Sequence, residues 1–534
     1  MLSFYLTDSL QKVFSTGVLP PERGAFSALK DERVSFQAVL LSDEDLTVGV
    51  TAESDLSLRL YEVREMPAGY PVDRRAKNCT LLRGGAPGNY PDLLVPLKKE
   101  LRLEAGKAAA VWVEARTDIP GGHSVTVTAA ANGETQTKTA AITASATPLA
   151  PQTLFYTDWF HADCLARYYD VEVFSEEHWA ILDRFIGNAA EYGVNLLLTP
   201  LFTPALDTAV GHERPTVQLV DVKKRGDRYE FSFERLRRWV ELCRKHGIGH
   251  FEFSHFFTQW GAEFCPKVIA DTDEGVKRIF GWDTAATSPE YVAFLRALGK
   301  ELKAFTDETG ITDNCFVHVS DEPGDEDIPQ YRACAAVIKE AFGAYRHLDA
   351  LSHLDFYRLG LVQIPVPSEG HVEEFAAAGA KDLWTYYCCG QYQNELPNRF
   401  FAMPSVRNRI LGALLYRYAC AGFLHWGFNF YFSQLSLREI DPFTVTDAGG
   451  AFPSGDSFTV YPGEDGEPLP SLREKVFYEG LQDLRALQTL EKKIGREETL
   501  ALLEDTLGKI TFSSYPMDET KILLLRERIN EKLA

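Results

Sequence analysis

Near residue 150 the hydrophobic rhythm of the chain changes. Up to about residue 148, apolar and polar positions alternate in short runs broken by Gly, Pro and Asp, as in Ser35–Leu41, Leu56–Tyr61, Ala108–Glu114 and His123–Thr128. A period of two gives each run one apolar and one polar face, and several such runs punctuated by turn residues predict a β-sandwich. Tyr90–Pro96 and Asp118–Gly122 are expected to be loops, the second a turn between two strands. Pro148 to Pro151 mark a linker.

Beyond Pro151, apolar segments alternate with amphipathic ones. The strand candidates are Leu154–Phe160, Val194–Phe202, His250–Phe257, Asn314–Ser320, His347–Leu351, Leu361–Val366, Leu383–Cys388 and Phe423–Phe430. Between them Ser175–Tyr192 and Tyr291–Phe305 carry apolar residues at helical spacing. About eight strands with covering helices predict an α/β fold built on a closed (β/α)8 TIM-type barrel. The expected domains are a β-sandwich over 1–148, a catalytic barrel over 152–440 and a loop and helical region packed on the barrel over 441–534. Val217–Phe233 reads as an inserted hairpin turned at Lys224–Asp227, Thr258–Ser288 as a long loop, and the stretch from Leu472 onward as charged helix.

Composition narrows the function. A chain of 534 residues with 45% hydrophobic and 25% charged residues can bury a sizeable core in two or three domains. A net charge of -21 repels polyanions, which argues against nucleic acid as a partner and favours a neutral or cationic ligand. The N-terminal segment lacks a signal-peptide pattern and no run is long enough to span a membrane, so a cytoplasmic protein without a membrane partner is expected, with a homo-oligomer left open. The nine cysteines form no C-x-x-C pair, and His353 and Asp355 have no third partner at zinc spacing. Gly84-Gly85 and Gly449-Gly450 lack the context of a nucleotide loop, so neither metal nor cofactor is expected.

The candidate chemistry centres on Asn314–Pro323, an apolar strand that ends on the adjacent acids Asp321 and Glu322. The end of a barrel strand is where such folds place catalytic groups, whereas a structural alternative makes the same acids a negative start to the next helix. Other strand ends collect Asp158, Trp159 and His161, then His255, Tyr386 and Tyr387, and Trp426 and Asn429 beside Gly427. Aromatic faces and short polar groups suit a carbohydrate pocket, although Tyr386 in an apolar strand also fits a core role. Arg407 and Arg409 fit sugar contacts or a barrel-end ion pair. Neighbouring acids cannot flank a glycosidic bond from opposite faces. They suit a mechanism in which the substrate's own acetamido oxygen attacks, Asp321 stabilises that group, and Glu322 is general acid and then base. The alternatives are a remote nucleophile such as Asp158 on a sugar without the acetamide, and a carbohydrate-binding protein without catalysis.

Several short motifs are similar to those of glycoside hydrolase family 123 and the wider set sharing its catalytic domain. They are Tyr90-Pro-Asp92, Val111-Trp-Val113, Ile119-Pro-Gly-Gly122, Val319-Ser-Asp-Glu-Pro323, the Gly422–Asn429 segment, Tyr461-Pro-Gly463 and Pro470-Ser-Leu-Arg473. The resemblance runs from about residue 85 to 490. It implies a sandwich, a (β/α) barrel and a C-terminal region. It also implies an exo-acting β-N-acetylgalactosaminidase that uses neighbouring-group participation, with the family's Asp-Glu pair on Asp321 and Glu322.

Overall fold

The computed structural model describes residues 2–73 and 76–534, so Met1, the start of the expected sandwich, lies outside the described residues. The N-terminal part consists of two five-stranded sheets. One runs in the order Leu2–Asp8, Arg33–Ser42, Ala108–Arg116, Ser57–Ala68, Gly88–Pro96, and the other in the order Ala25–Lys30, Glu134–Pro148, Gly121–Ala131, Leu46–Glu53, Glu100–Leu103. Their alternating apolar faces meet in a core that includes Phe36, Leu40, Val48, Val111, Val113, Val125 and Ile142, as the period-two pattern requires.

Tyr90–Pro96 is a strand and not the expected loop. Its prolines remove backbone donors, which an edge strand tolerates. The register with Ser57–Ala68 steps from Arg64↔Leu93 to Glu65↔Pro91, leaving Asp92 in a bulge that re-aims its side chain. The outer edge is covered where the Leu94 N–H donates to the Pro470 carbonyl at 3.0 Å.

All eight expected strands of the second part form, as β1 (Phe155–Asp158), β2 (Leu196–Thr199), β3 (His250–Phe253), β4 (Cys315–Val317), β5 (Arg346–Ala350), β6 (Ile364–Val366), β7 (Trp384–Tyr386) and β8 (Gly422–His425). Every pairing among them is parallel. No single closed sheet is found among the described residues: the strands make one five-stranded sheet, β2 to β6 in order, and one three-stranded sheet, β1-β8-β7. At one seam Pro365 and Pro367 lack the N–H groups that would continue a ladder, and the Tyr386 N–H reaches the Pro367 carbonyl at 3.1 Å. At the other seam the Asn195 side chain bonds the Tyr156 N–H and the Leu154 carbonyl, and the Asn195 N–H reaches the Tyr156 carbonyl at 3.1 Å. Both sheets face one apolar core that includes Leu196, Leu198, Phe316, Leu348, Val366, Trp384 and Leu424.

The covering helices start as their sequence directs. α1 (Glu176–Glu191) begins at Ser175, whose hydroxyl accepts the His178 N–H, with two glutamates in the first turn against the positive helix end. The Lys224–Asp227 turn does join two strands, Asp221–Arg225 and Arg228–Ser232. Thr258–Ser288 is not a bare loop: Val268–Thr272 and Gly275–Phe280 form a second hairpin that joins the first in a four-stranded sheet. After α2 (Pro289–Thr309) and α3 (Ile328–Phe342), the C-terminal region supplies α4 (Leu472–Ile494), α5 (Arg496–Leu507) and α6 (Glu519–Leu533). α4 packs against the helical segment before β8 and also against the sandwich, where Arg473 reaches Asp92 and Lys475 reaches Glu114. None of the described helices is long and apolar enough to cross a membrane.

Candidate active site

The backbone bends where the two acids stand. On a regular strand their side chains would leave opposite faces. Glu322 instead has φ +46, a left-handed conformation that is unfavourable for a residue with a Cβ. Two hydrogen bonds hold it there, from the Glu322 N–H to the Ala350 carbonyl at the end of β5 and from the Trp260 N–H to the Asp321 carbonyl, both 2.9 Å. Both acids consequently line one cavity of about 240 Å³ at the C-terminal ends of the strands. Its wall includes Trp159 after β1, Leu206 and Asp207 after β2, Gln259 and Trp260 after β3, Tyr386 at the end of β7, and Leu424 and Trp426 from β8.

The concave wall sets the protonation of the pair. Burial first, and then the charge of Glu322, push Asp321 well above the usual carboxylate range. Glu322 is also raised, by burial and by the charge of Asp456, while the Tyr386 hydroxyl, which donates to its Oε1, opposes the shift. Among the described residues no side chain is hydrogen-bonded to the Asp321 carboxylate. The cavity therefore holds two carboxyl groups that keep their protons to higher pH than free acids do.

A model of the glycoside hydrolase 123 catalytic domain matches residues 159–490, more than half of the chain. The chain belongs to glycoside hydrolase family 123. It is a glycosidase, and its overall structure agrees. A family 123 glycoside hydrolase from Clostridium perfringens, described for glycolipid glycan hydrolysis, superposes with a TM-score of 0.74 at 15% identity, covering 100% of this chain and 98% of that one. β-Glucuronidase 2 of Bacteroides uniformis (TM-score 0.30, 10% identity, 88% and 49% covered) and a β-glucuronidase of Parabacteroides merdae (0.31, 11%, 92% and 52%) are far more distant. No curated protein matches the sequence.

Beneath the acids of this family 123 enzyme lies a buried charge relay. His318 is held between Glu252 (Nε2 to Oε1, 2.6 Å) and Asp349 (Nδ1 to Oδ1, 3.0 Å). Burial alone would discharge the ring, but the two carboxylates outweigh it and lift the pKa to about 9, so His318 is an imidazolium whose charge faces Asp321. Glu252 also accepts from Trp159 Nε1 at 2.8 Å, which fixes the indole of the cavity floor. His255 stacks on His318 with centroids 4.1 Å apart and planes at 25°, and burial followed by the His318 charge keeps it neutral. Ligand atoms of His255, His318 and Asp349 lie within 4.8 Å of one another. They do not fit a metal: both His318 nitrogens are engaged, and near-parallel rings cannot both aim in-plane lone pairs at one ion.

The expected site residues divide by position. Asp321, Glu322, Trp159, Tyr386 and Trp426 come together on the cavity. Asp158 does not line it. It is buried and paired with Arg399 at 2.8 Å and His425 at 3.2 Å, and although burial opposes ionisation these partners hold it at about 2. His161 and Asn429 tie the ends of β1 and β8 together, through His161 N–H to Asn429 Oδ1 (2.8 Å) and His161 Nε2 to the Trp426 carbonyl (2.9 Å). Tyr387 points away from the cavity and packs on Phe423 and His425, and His255 lies below the wall. Arg407 is fully buried on the Thr80 and Tyr392 carbonyls, and Arg409 on Asp483 and Glu479. Gly427 does allow the close approach its position suggested, because a Cβ there would meet the Ser457 carbonyl oxygen at 2.6 Å. Sequence reasoning missed Leu206, Asp207, Gln259 and Trp260, which lie on loops without periodicity. Glu252 and Asp349 carried a usable signal, an acid in the middle of an otherwise buried strand.

Proposed function

We propose that this glycosidase removes a terminal β-linked 2-acetamido sugar, with N-acetylgalactosamine favoured, by a retaining, substrate-assisted route. Glu322 protonates the glycosidic oxygen as the acetamido oxygen of the same sugar attacks the anomeric carbon, and the aglycone leaves as an alcohol. Asp321 accepts the acetamido N–H and balances the positive charge that develops on the oxazolinium ring. Glu322, now a carboxylate, takes a proton from water, which opens the ring with net retention. The observation that carries this reading is the left-handed turn at Glu322, which brings neighbouring acids into one small cavity. A volume of about 240 Å³ is below the roughly 300–1,000 Å³ of pockets for drug-sized ligands, which suits one sugar ring and exo action.

We read the eight parallel strands as a (β/α)8 barrel with two weakened seams, working at the C-terminal ends of its strands. The boundaries 1–148, 152–440 and 441–534 remain our division of the chain. The test is release of an aryl β-N-acetylgalactosaminide by the wild type, with inhibition by the corresponding thiazoline. Cleavage insensitive to the thiazoline would refute substrate assistance. A second reading, direct displacement by a remote carboxylate, now has its carrier in Asp207 in place of Asp158. Asp207 lines the cavity, with a pKa lifted to about 6 by burial. Asp207→Asn abolishing turnover of a sugar without the acetamide would support it.

A further inference from the structure

Of the eight tryptophans in the chain, Trp260 is the exposed one, with 51% of its surface open. Of the other seven, five are buried and Trp282 and Trp426 half-buried, and Trp260 stands on the wall of the candidate cavity. Its backbone is left-handed at φ +56, a conformation bulky residues rarely adopt and one that persists where surroundings impose it. Those surroundings are specific. The Trp260 N–H donates to the Asp321 carbonyl at 2.9 Å, and two residues on, the Ala262 carbonyl accepts from Gln330 Nε2 at 2.9 Å on α3. Gly261, at φ +116, is packed so closely that a Cβ would sit 3.0 Å from Asp327 Oδ1. The loop backbone is thus pinned on both sides at a fixed position relative to the acid pair, and the indole it carries is half open to solvent.

We infer that Trp260 is the platform on which the leaving group of the substrate stacks. This rests on the reading of the cavity as a site for one terminal sugar. Trp159 and Tyr386 are buried and Trp426 half-buried in the cavity wall, placed to meet the ring that is cleaved off. A cavity of about 240 Å³ leaves the rest of the glycan outside. What emerges from it passes the rim, where a rigid, half-open indole offers an apolar face to the apolar face of the next sugar. Trp260 is a specificity-determining residue of the aglycone side.

The experiment compares two leaving groups on the same 2-acetamido-galactosyl unit: fluoride, which cannot stack, and a β-linked hexose. With Trp260→Ala, kcat/KM for the disaccharide is expected to fall about tenfold more than that for the glycosyl fluoride, as expected for loss of aromatic stacking. Trp260→Phe should recover most of the disaccharide rate. Equal losses on both substrates, or none on the disaccharide, would overturn the platform. A wild type inert on both acetamido substrates but active on a galactosyl disaccharide would refute the acetamido reading instead, and the same pair of leaving groups on galactose would then decide Trp260.

Discussion

Two sets of acids in this enzyme, one buried and one lining an open cavity, use the same chemistry to opposite ends. Asp92, in the bulge of the sandwich edge strand, receives both arms of Arg473, at 2.7 and 3.0 Å, and the Tyr461 hydroxyl at 2.6 Å. Arg473 in turn donates to the Phe458 carbonyl and lies against the Phe401 ring. Every charge there is matched, and the cluster joins sandwich, α4 and the 455–461 loop into one unit. Asp321 and Glu322 line one cavity without an ion pair among the described residues, and their surroundings raise both pKa values. Motifs that resembled one family therefore separate physically. Tyr90-Pro-Asp92, Tyr461-Pro-Gly463 and Pro470-Ser-Leu-Arg473 include a clamp, and Val319–Pro323 holds the pair that we propose to be reactive.

The largest effect that would sharpen this contrast is chemical. Glu322→Gln should lower kcat by about 10²–10⁴-fold, the usual worth of a general acid, with Tm within a degree or two of wild type because no ion pair is lost. Unchanged turnover of an aryl N-acetylhexosaminide would break the assignment. Asp92→Ala should do the reverse. Removing one member of a buried pair leaves Arg473 uncompensated and costs about 3–5 kcal/mol of unfolding free energy, read from urea denaturation. Activity per folded molecule at low temperature should remain. If it collapsed while stability held, the division between clamp and catalyst would fail.

Tyr386→Phe probes the one side-chain hydrogen bond, among the described residues, that touches the carboxylates of the acid pair. The hydroxyl donates to Glu322 Oε1, so its loss removes a charge-assisted bond and loosens the rotamer of the acid. A bond to a charged group contributes about 1.5–3 kcal/mol, but only the part that differs between ground and transition states enters the rate. A drop of about tenfold in kcat/KM with little change in stability is expected from steady-state kinetics.

Much of this architecture was readable before any coordinates because burial is periodic. The eight core strands each fall within or against their expected segments, and the turns at Asp118–Gly122 and Lys224–Asp227 carried their own Gly and Asp signals. Tyr90–Pro96 misled because proline is a loop signal except on an edge strand, and edge position is a property of the whole sheet. Closure is harder to read for a related reason: eight strands can be counted in sequence, but whether Pro365 and Pro367 interrupt the ladder depends on which neighbour they meet. At the site, Asp321 and Glu322 were legible because two acids end an apolar strand. Asp158 had the same local signature, and only its distant partners Arg399 and His425 show that it is spoken for. Trp260 and Asp207 carried no signal, since loops place side chains by tertiary contacts that no short spacing encodes.

The smallest expected effect is also the most discriminating, because it has a sign. Asp456 raises the pKa of Glu322, and the Tyr386 hydroxyl lowers it. A general acid works while protonated, so the basic limb of the kcat/KM profile follows the pKa of Glu322 in the free enzyme. Asp456→Asn removes a negative charge yet retains an oxygen for Trp426 Nε1, which lies 3.0 Å from Asp456 Oδ2. With less repulsion Glu322 gives up its proton earlier, and the basic limb should move to lower pH. Tyr386→Phe withdraws a donor that favours the carboxylate, and the limb should move to higher pH. Opposite displacements in the two variants, at similar thermal stability, would identify Glu322 as the titrating acid. Movement in one direction for both would mean that another group, Asp207 with its pKa near 6 being the first to test, sets the profile.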